Sequence, residues 1–294
     1  MENTLVNKIK PTDFPPWLKE IPDPPKELFY RGVLPKWENY KCLTVVGARK
    51  FTSYGKEACE KLISGLAGYP IIIISGLALG IDTIAHRAAM AAGLKTIAVP
   101  GSGLADEIIY PASHLGFARE IIRSGGALLS EFPPTQRAAA WTFPKRNRIM
   151  AGLSQATLVV EAEKKSGTLI TARLAAEYNR DVLTIPGSIF SLNSEGPHLL
   201  LKLGATPINQ SADILEALGF RSPETPTNQV SSKIDSYQSC SPAEIKILKL
   251  LTEPLSRDEI IRLAGGTVAE VNALLTMLEI KGLIKESMGE IHLI

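Results

Sequence analysis

An α/β chain built on a doubly wound, mostly parallel sheet, followed by a small winged-helix module, is the fold this sequence predicts. Three observations carry it. Short apolar runs rich in β-branched residues recur along the first two thirds of the chain, separated by segments long enough for crossover helices, as strands covered on both faces require. A polar stretch of Ser, Thr and Pro then breaks the pattern. Beyond it come three amphipathic helices and two short strands, which is the winged-helix order.

Composition bounds the rest. With 294 residues, 45% hydrophobic and 21% charged, the chain is long enough for one large domain plus a small one, and is neither fibrous nor disordered. The net charge is only +2, so any affinity for nucleic acid must come from a local concentration of cations. Cys42, Cys59 and Cys240 are odd in number and widely spaced, which suits a reducing cytoplasm and supports neither a disulfide framework nor a zinc site. The N-terminus lacks the apolar core of an export signal. Residues 62–81 carry no charge, but Gly65, Gly68, Pro70, Gly76 and Gly80 divide them into a helix end, a turn, a strand and a loop rather than a membrane span.

Taken in order, residues 1–40 carry seven prolines and are expected to run as an extended arm, pinned by Trp17, Leu18, Ile21, Leu28, Phe29 and Tyr30. Residues 41–220 form the main domain, with strands expected at 43–48, 71–75, 95–99, 126–130, 156–161 and 181–186. Residues 221–240 read as a linker. Residues 241–294 form the module, with helices at 242–250, 256–264 and 267–279 and strands at 283–287 and 290–294; Ser256 and Glu259 match a capping box.

In a doubly wound sheet, ligands sit beyond the carboxyl ends of the strands, so the strand exits are the places to search. After the first expected strand, Gly47 permits a sharp turn, Arg49 follows, and Thr52 or Ser53 can cap the next helix; backbone amides and a guanidinium there form an anion site in principle. The second exit, SGLALGIDTIAHRAAM, offers Gly76 and Gly80 for close backbone approach; Asp82 and His86 share a helix face and read as a capping carboxylate hydrogen bonded to a partly buried His. The third, VPGSGLADEIIYPASH, is acidic at Asp106 and Glu107 and reads as scaffold. At the fifth, Lys164, Lys165, Ser166, Gly167 and Thr168 precede a helix and form a phosphate cup without the spacing of a Walker A motif. No G-x-G-x-x-G fingerprint is present, so no dinucleotide cofactor is implied.

Charge is concentrated in one place. From Thr135 to Gly152 there are four cations, Arg137, Lys145, Arg146 and Arg148, with Asn147 among them and no acid. Trp141 and Phe143 lie beside them, and aromatic faces next to cations are the combination that binds single strands without sequence preference. The competing reading makes the rings core and the cations a solvated helix end.

These blocks together resemble the DprA/Smf family of bacterial DNA processing proteins. The resemblance runs through DPPKELFYRG, VVGARKFTSYG, SGLALGIDTIAH, ADEIIYP, SEFPP, FPKRNRIMAGLS, VVEAEKKSGTLITARLA and IPGS, eight blocks in the family's order. It implies an extended Rossmann-like fold, a homodimer, binding of single-stranded DNA, and its delivery to the RecA recombinase in transformation, with no catalysis. It places the DNA pocket on Arg49, Phe143 as stacking group, Lys145, Arg146, Arg148 and Lys165. Trp141 fits either core or pocket. Two departures are expected to matter: a helical domain that often precedes the sheet domain is missing or reduced to the proline-rich arm, and His114 stands where the family usually has Asn.

The C-terminal module resembles the family's winged helix, yet residues 241–294 hold six Lys and Arg against eight Asp and Glu, and 267–279 hold no cation. Phosphate contacts supply most non-specific affinity, so a protein-contact role is expected instead. A rival reading, a nucleoside-monophosphate hydrolase, needs a carboxylate in the loop where this chain has Thr171. A third, binding of a small nucleotide in the same crevice, stays open.

Overall fold

The computed structural model describes residues 5–220, 240–251, 254–287 and 289–293. Contacts divide the chain at Ser222 into two compact units, within the stretch expected to be a linker; residues 221–239 lie outside the described residues.

The first unit runs β1 (Asn7–Ile9), α1 (Pro16–Lys19), β2 (Leu28–Gly32), β3 (Lys41–Val46), α2 (Ser53–Ser64), β4 (Ile71–Ser75), α3 (Ile81–Ala91), β5 (Lys95–Ala98), α4 (Leu115–Arg123), β6 (Ala127–Ser130), α5 (Thr142–Leu153), β7 (Ala156–Val159), α6 (Thr168–Glu177), β8 (Asp181–Thr184), α7 (Glu195–Lys202), β9 (Thr206–Pro207) and α8 (Ser211–Ala217). Its nine strands form one sheet in the order β1-β2-β6-β5-β4-β3-β7-β8-β9, parallel from β6 to β9. The six expected strands are all present.

Alternating side chains explain why the strand text is apolar without a break. In β4, Ile71 and Ile73 enter the core layer that contains Leu62, Ile63, Ile84 and Ile214, whereas Ile72 and Ile74 enter the opposite layer with Leu18, Ile149, Met150 and Leu153. Both faces are buried, so both parities must be apolar. The same geometry disposes of the membrane-length stretch 62–81, which is the end of α2, a turn, β4 and a loop, and no single described helix is long and apolar enough to cross a membrane.

The proline-rich arm is more than a strap. Its β1 pairs antiparallel with β2, and β2 pairs antiparallel with β6, Tyr30 lying opposite Leu129. Leu18, Ile21 and Leu28 are buried, and the Trp17 indole donates to the Leu153 carbonyl at 2.6 Å. Prolines do keep the segment out of long helices, but the free edge of β6 takes up the extended stretch that proline leaves available.

The second unit comprises α9 (Pro242–Leu250), β10 (Leu255–Ser256), α10 (Arg257–Ala264), α11 (Val268–Ile280), β11 (Ile284–Ser287) and β12 (Glu290–Leu293), its strands in the order β10-β12-β11. Each helix opens with a reciprocal capping box: Ser241 with Glu244, Ser256 with Glu259, Thr267 with Glu270. Ile247, Leu248, Ile260, Val271, Leu275, Leu278, Ile284 and Ile291 form its own core. On α11, Val268, Glu270, Met277, Glu279 and Ile280 are exposed, an apolar and acidic surface.

Candidate nucleic-acid interface

Strand order reverses at β3. The chain proceeds outward from β3 to β4, β5 and β6, then returns to lay β7, β8 and β9 on the other side. The loops after β3 and β7 therefore diverge, and a crevice opens between them. A cleft of about 480 Å³ occupies it, lined by Gly47, Arg49, Phe143, Arg146, Asn147, Lys165, Ser166, Gly167 and Thr168 from the expected set. Val46, Ala48, Lys50, Ala78, Asp82, Met150, Glu163 and Thr171 complete the wall. Gly76 lies beside a smaller hollow on the far side of Phe143, with Leu79, Gly101, Tyr110 and Pro111. Lys145 and Arg148 line neither.

The two glycines act through close packing. A Cβ on Gly47 would lie 2.7 Å from Ile81 Cγ1, so its absence lets α3 start against the exit of β3. A Cβ on Gly76 would lie 2.4 Å from Arg146 Nη1 and 2.6 Å from Asp82 Oδ2. The Arg146 guanidinium and the Asp82 carboxylate thus already fill the space that Gly76 leaves open, where the sequence expectation put the close approach of a ligand.

Arg146 forms the floor. It is 7% exposed and donates to the carbonyls of Gly76 and Val99, the latter at 2.6 Å, and through Nε to Asn147 Oδ1 at 3.0 Å. Burial pulls its pKa below the ordinary arginine value, opposed by Asp82. Burial likewise raises the Asp82 carboxyl, opposed by Arg146 and by the amides of Ala78 and Gly76, which donate to it at 3.2 and 3.1 Å. Asp82 therefore holds the loop before α3 rather than capping the helix itself, whose N-cap is Gly80 with no side-chain cap bond. The expected Asp82–His86 hydrogen bond does not form: His86 is fully buried and pairs through Nδ1 with Thr96 Oγ1 at 2.7 Å, because its ring points along the sheet side of α3. His114 pairs through Nδ1 with the Leu77 carbonyl, bracing the loop after β4.

Arg148 is the clearest departure. It is 9% exposed, ion-paired with Glu131 and Asp23, and donates to the Asp23 carbonyl. Its partners come from residues outside the acid-free window, one from the arm and one from the exit of β6, so tertiary contact neutralises a cation that looked unopposed along the chain. Burial raises the Glu131 carboxyl, against the pull of Arg148 and Lys145.

The mouth keeps what the floor does not. Phe143 stands over Gly101, its ring meeting the Tyr110 edge at 5.7 Å, with the Arg49 guanidinium 6.0 Å from its centroid. Arg49, Lys50 and Lys165 are exposed. Across the cleft, Thr168 Oγ1 donates to the Gly47 carbonyl at 3.1 Å and the Thr168 amide donates to Ser166 Oγ, which ties the start of α6 to the exit of β3. Nothing lies within 4 Å of where a Gly167 Cβ would be, so that turn faces open space. Asp106 pairs with Arg31 and Arg119, making the third exit scaffold as expected. Sequence reasoning passed over Lys50, Glu163 and Tyr110; the first two are neighbours of named residues, whereas Tyr110 arrives only through the fold.

Similarity to known proteins matches this geometry. The family model described as DNA recombination-mediator protein A matches residues 6–219, and the DprA winged helix domain matches 232–290. Protein Smf of Escherichia coli is 39% identical over 279 residues, covering 94% of this chain and 74% of that one. DNA processing protein DprA of Streptococcus pneumoniae is 43% identical over 206 residues, 70% of this chain and 71% of its own. An X-ray structure of the Streptococcus pneumoniae protein superposes with a TM-score of 0.66 at 40% identity, covering 73% and 75% of the two chains. A Helicobacter pylori DprA structure, described for its single-stranded DNA binding mode, gives 0.66 at 28% identity over 74% of this chain and 98% of that one. A crevice at the reversal of strand order, sequence blocks that line it, and a separate winged-helix unit agree with the family matches: this chain belongs to the DNA recombination-mediator protein A family, also called DprA or Smf.

Proposed function

We propose that this chain binds single-stranded DNA in the cleft at the strand-order reversal, protects it and hands it to the RecA recombinase during DNA uptake, acting as a homodimer and without catalysis. The observation that carries the reading is the convergence of Arg49, Phe143 and Lys165 on one cleft. An unpaired base stacks on Phe143, while Arg49 and Lys165 meet its phosphates and the turn at Ser166, Gly167 and Thr168 offers amides. Arg146 and Asn147 shape the floor from beneath. Lys145, exposed outside the cleft, follows the backbone of the strand. Arg148 leaves the contact set because its charge is already paired.

Delivery to RecA rests on family membership and on the DNA reading together. The homodimer is supported by Ile189, Phe190, Leu192 and Leu203, large apolar groups exposed between β8 and β9 that a second copy would cover. A protein-contact role for the winged-helix unit is supported by the acidic and apolar face of α11. The absence of catalysis is supported by Thr171 in the cleft wall where a hydrolase needs an acid, and by the commitment of Asp82 to backbone amides. A small nucleotide is the second reading, favoured by a cleft volume that holds a base and a phosphate.

Titration of single- and double-stranded oligonucleotides at several salt concentrations tests this. The wild type is expected to prefer single strands, Phe143→Ala to lose about 5- to 150-fold in affinity, and Arg49→Ala or Lys165→Ala each to flatten the logarithmic salt slope by about 0.7. A preference for duplex, or single-strand affinity untouched by these substitutions, would reject the reading; release of free base from a nucleoside monophosphate would favour the hydrolase.

A further inference from the structure

We propose that Trp141 and Lys145 form a second nucleobase platform outside the cleft, which takes the base of a nucleotide adjoining the one on Phe143. This rests on the single-strand reading above and extends it to a site that the cleft does not contain. The chain has three tryptophans, and two serve the core: Trp37 is buried and the Trp17 indole donates to Leu153. Trp141 is 52% exposed. An indole left half in water, at the rim of a site for a polyanion carrying aromatic bases, is placed to stack.

The ring is also held still. Phe132, itself buried, meets it edge-on at 5.7 Å and 85°. The next residue, Thr142, is buried; its hydroxyl donates to the Gly101 carbonyl at 2.6 Å and accepts from the Ala139 amide at 3.1 Å, fixing the backbone on either side of Trp141. These contacts favour one orientation of the ring before any ligand arrives, which lowers the ordering cost of binding. Four residues on, on the same side of the helix, the exposed Lys145 ammonium lies 5.5 Å from the indole centroid. That ammonium sits over the indole and, swung off its face, meets a phosphate joined to a base stacked there; the first turn of α5 carries no acid, and the nearby Glu131 is already engaged by Arg148.

Phe143 lies between these two residues in sequence but on another side of the helix, facing the cleft. A single strand leaving Phe143 reaches Trp141 by crossing the start of α5. A duplex could not do so with one base in the cleft, so the platform extends the footprint along an unpaired strand only.

The test uses the full chain, labelled oligothymidylates of increasing length, and two readouts: anisotropy and tryptophan emission. In the wild type, emission is expected to be quenched on binding. Trp141→Ala is expected to bind the shortest oligomers like the wild type and to lose about tenfold on longer ones. Trp141→Phe is expected to keep long-oligomer affinity within about threefold while abolishing the quench, since a benzene ring still stacks. Phe143→Ala loses affinity at every length. If the wild type binds in a Phe143-dependent way but emission is unchanged and Trp141→Ala binds like the wild type throughout, the platform is rejected while the cleft reading stands. Equal loss at all lengths with a lowered Tm also rejects it, in favour of a structural role for Trp141. Failure of the wild type to bind single strands removes both.

Discussion

Two helices of this protein invite comparison as nucleic-acid readers, α5 in the sheet unit and α11 in the winged-helix unit. Along the chain they differ in charge: α5 carries Lys145, Arg146 and Arg148, and α11 carries no cation. In the fold the contrast narrows, because Arg146 donates to the carbonyls of Gly76 and Val99 and Arg148 is held by Glu131 and Asp23, leaving Lys145 as the exposed cation of α5. What separates the helices is then their setting. The start of α5 supplies two aromatic rings, one at a cleft whose mouth gains Arg49, Lys50 and Lys165 from other loops, whereas α11 exposes Val268, Met277 and Ile280 beside glutamates. A count of cations along a helix is not the potential at its surface.

The comparison breaks most sharply at Arg148. If it is structural, Arg148→Ala strands the Glu131 carboxylate and lowers stability by about 3–5 kcal/mol, with single-strand affinity of the folded protein unchanged; chemical denaturation and anisotropy read the two effects apart. A lost affinity at undiminished stability would return Arg148 to the DNA surface.

Acid should distinguish the two units next. Burial, together with His114, lowers the His86 pKa to about 3, and its Nε2 has no partner. An unfolded chain takes up this proton below about pH 6.5 and the folded one only near 3, so the stability His86 contributes is complete above pH 6.5 and is lost as pH falls toward 3. At pH 5 the loss is about 2 kcal/mol. His86→Leu is expected to flatten the fall in Tm between pH 7 and pH 5; an unchanged slope would clear His86. In the winged-helix unit, Glu244, Glu259 and Glu270 are held below the usual carboxylate value of 4.5, by Lys281 and Ser241, by Ser256, and by Thr267 respectively. Their contribution is present above pH 4.5 and lost below it, so amide exchange near pH 5 should open the sheet unit first.

The smallest effect is expected from removing residues 221–294. An acidic, apolar α11 adds little to phosphate binding, so single-strand affinity should fall by less than tenfold. A larger loss would make the winged-helix unit a DNA reader after all.

Much of this was legible in the chain. The run Ile71–Ile74 announces a strand buried on both faces, and Ser256 with Glu259 announces a helix start, since each depends on neighbours within a few residues. Gly47, Arg49 and Lys165 could be nominated because ligands collect at strand exits in this architecture, and Phe143 because it stands in the acid-free run of cations, whatever the details of packing. Less legible was the arm, whose prolines imply an extended path but not that β2 would pair with β6. The Asp82–His86 pair failed for a similar reason: helical spacing put them on one face, and Thr96 from β5 claimed the ring.

Local pattern thus settled the order of elements, the doubly wound sheet, the separate winged-helix unit and the loops that line the cleft, because periodicity, capping and turn chemistry act over a few residues. Which charges face water was settled by packing. Arg146 and Arg148 are no different in text from Lys145, and they are spent on Gly76, Val99, Glu131 and Asp23, residues between 17 and 125 positions away, because a buried guanidinium must find acceptors wherever the fold brings them. Trp141 illustrates the converse: Thr142 and Phe132 hold its ring at the surface, and that exposure is what makes it a candidate for the strand beyond the cleft.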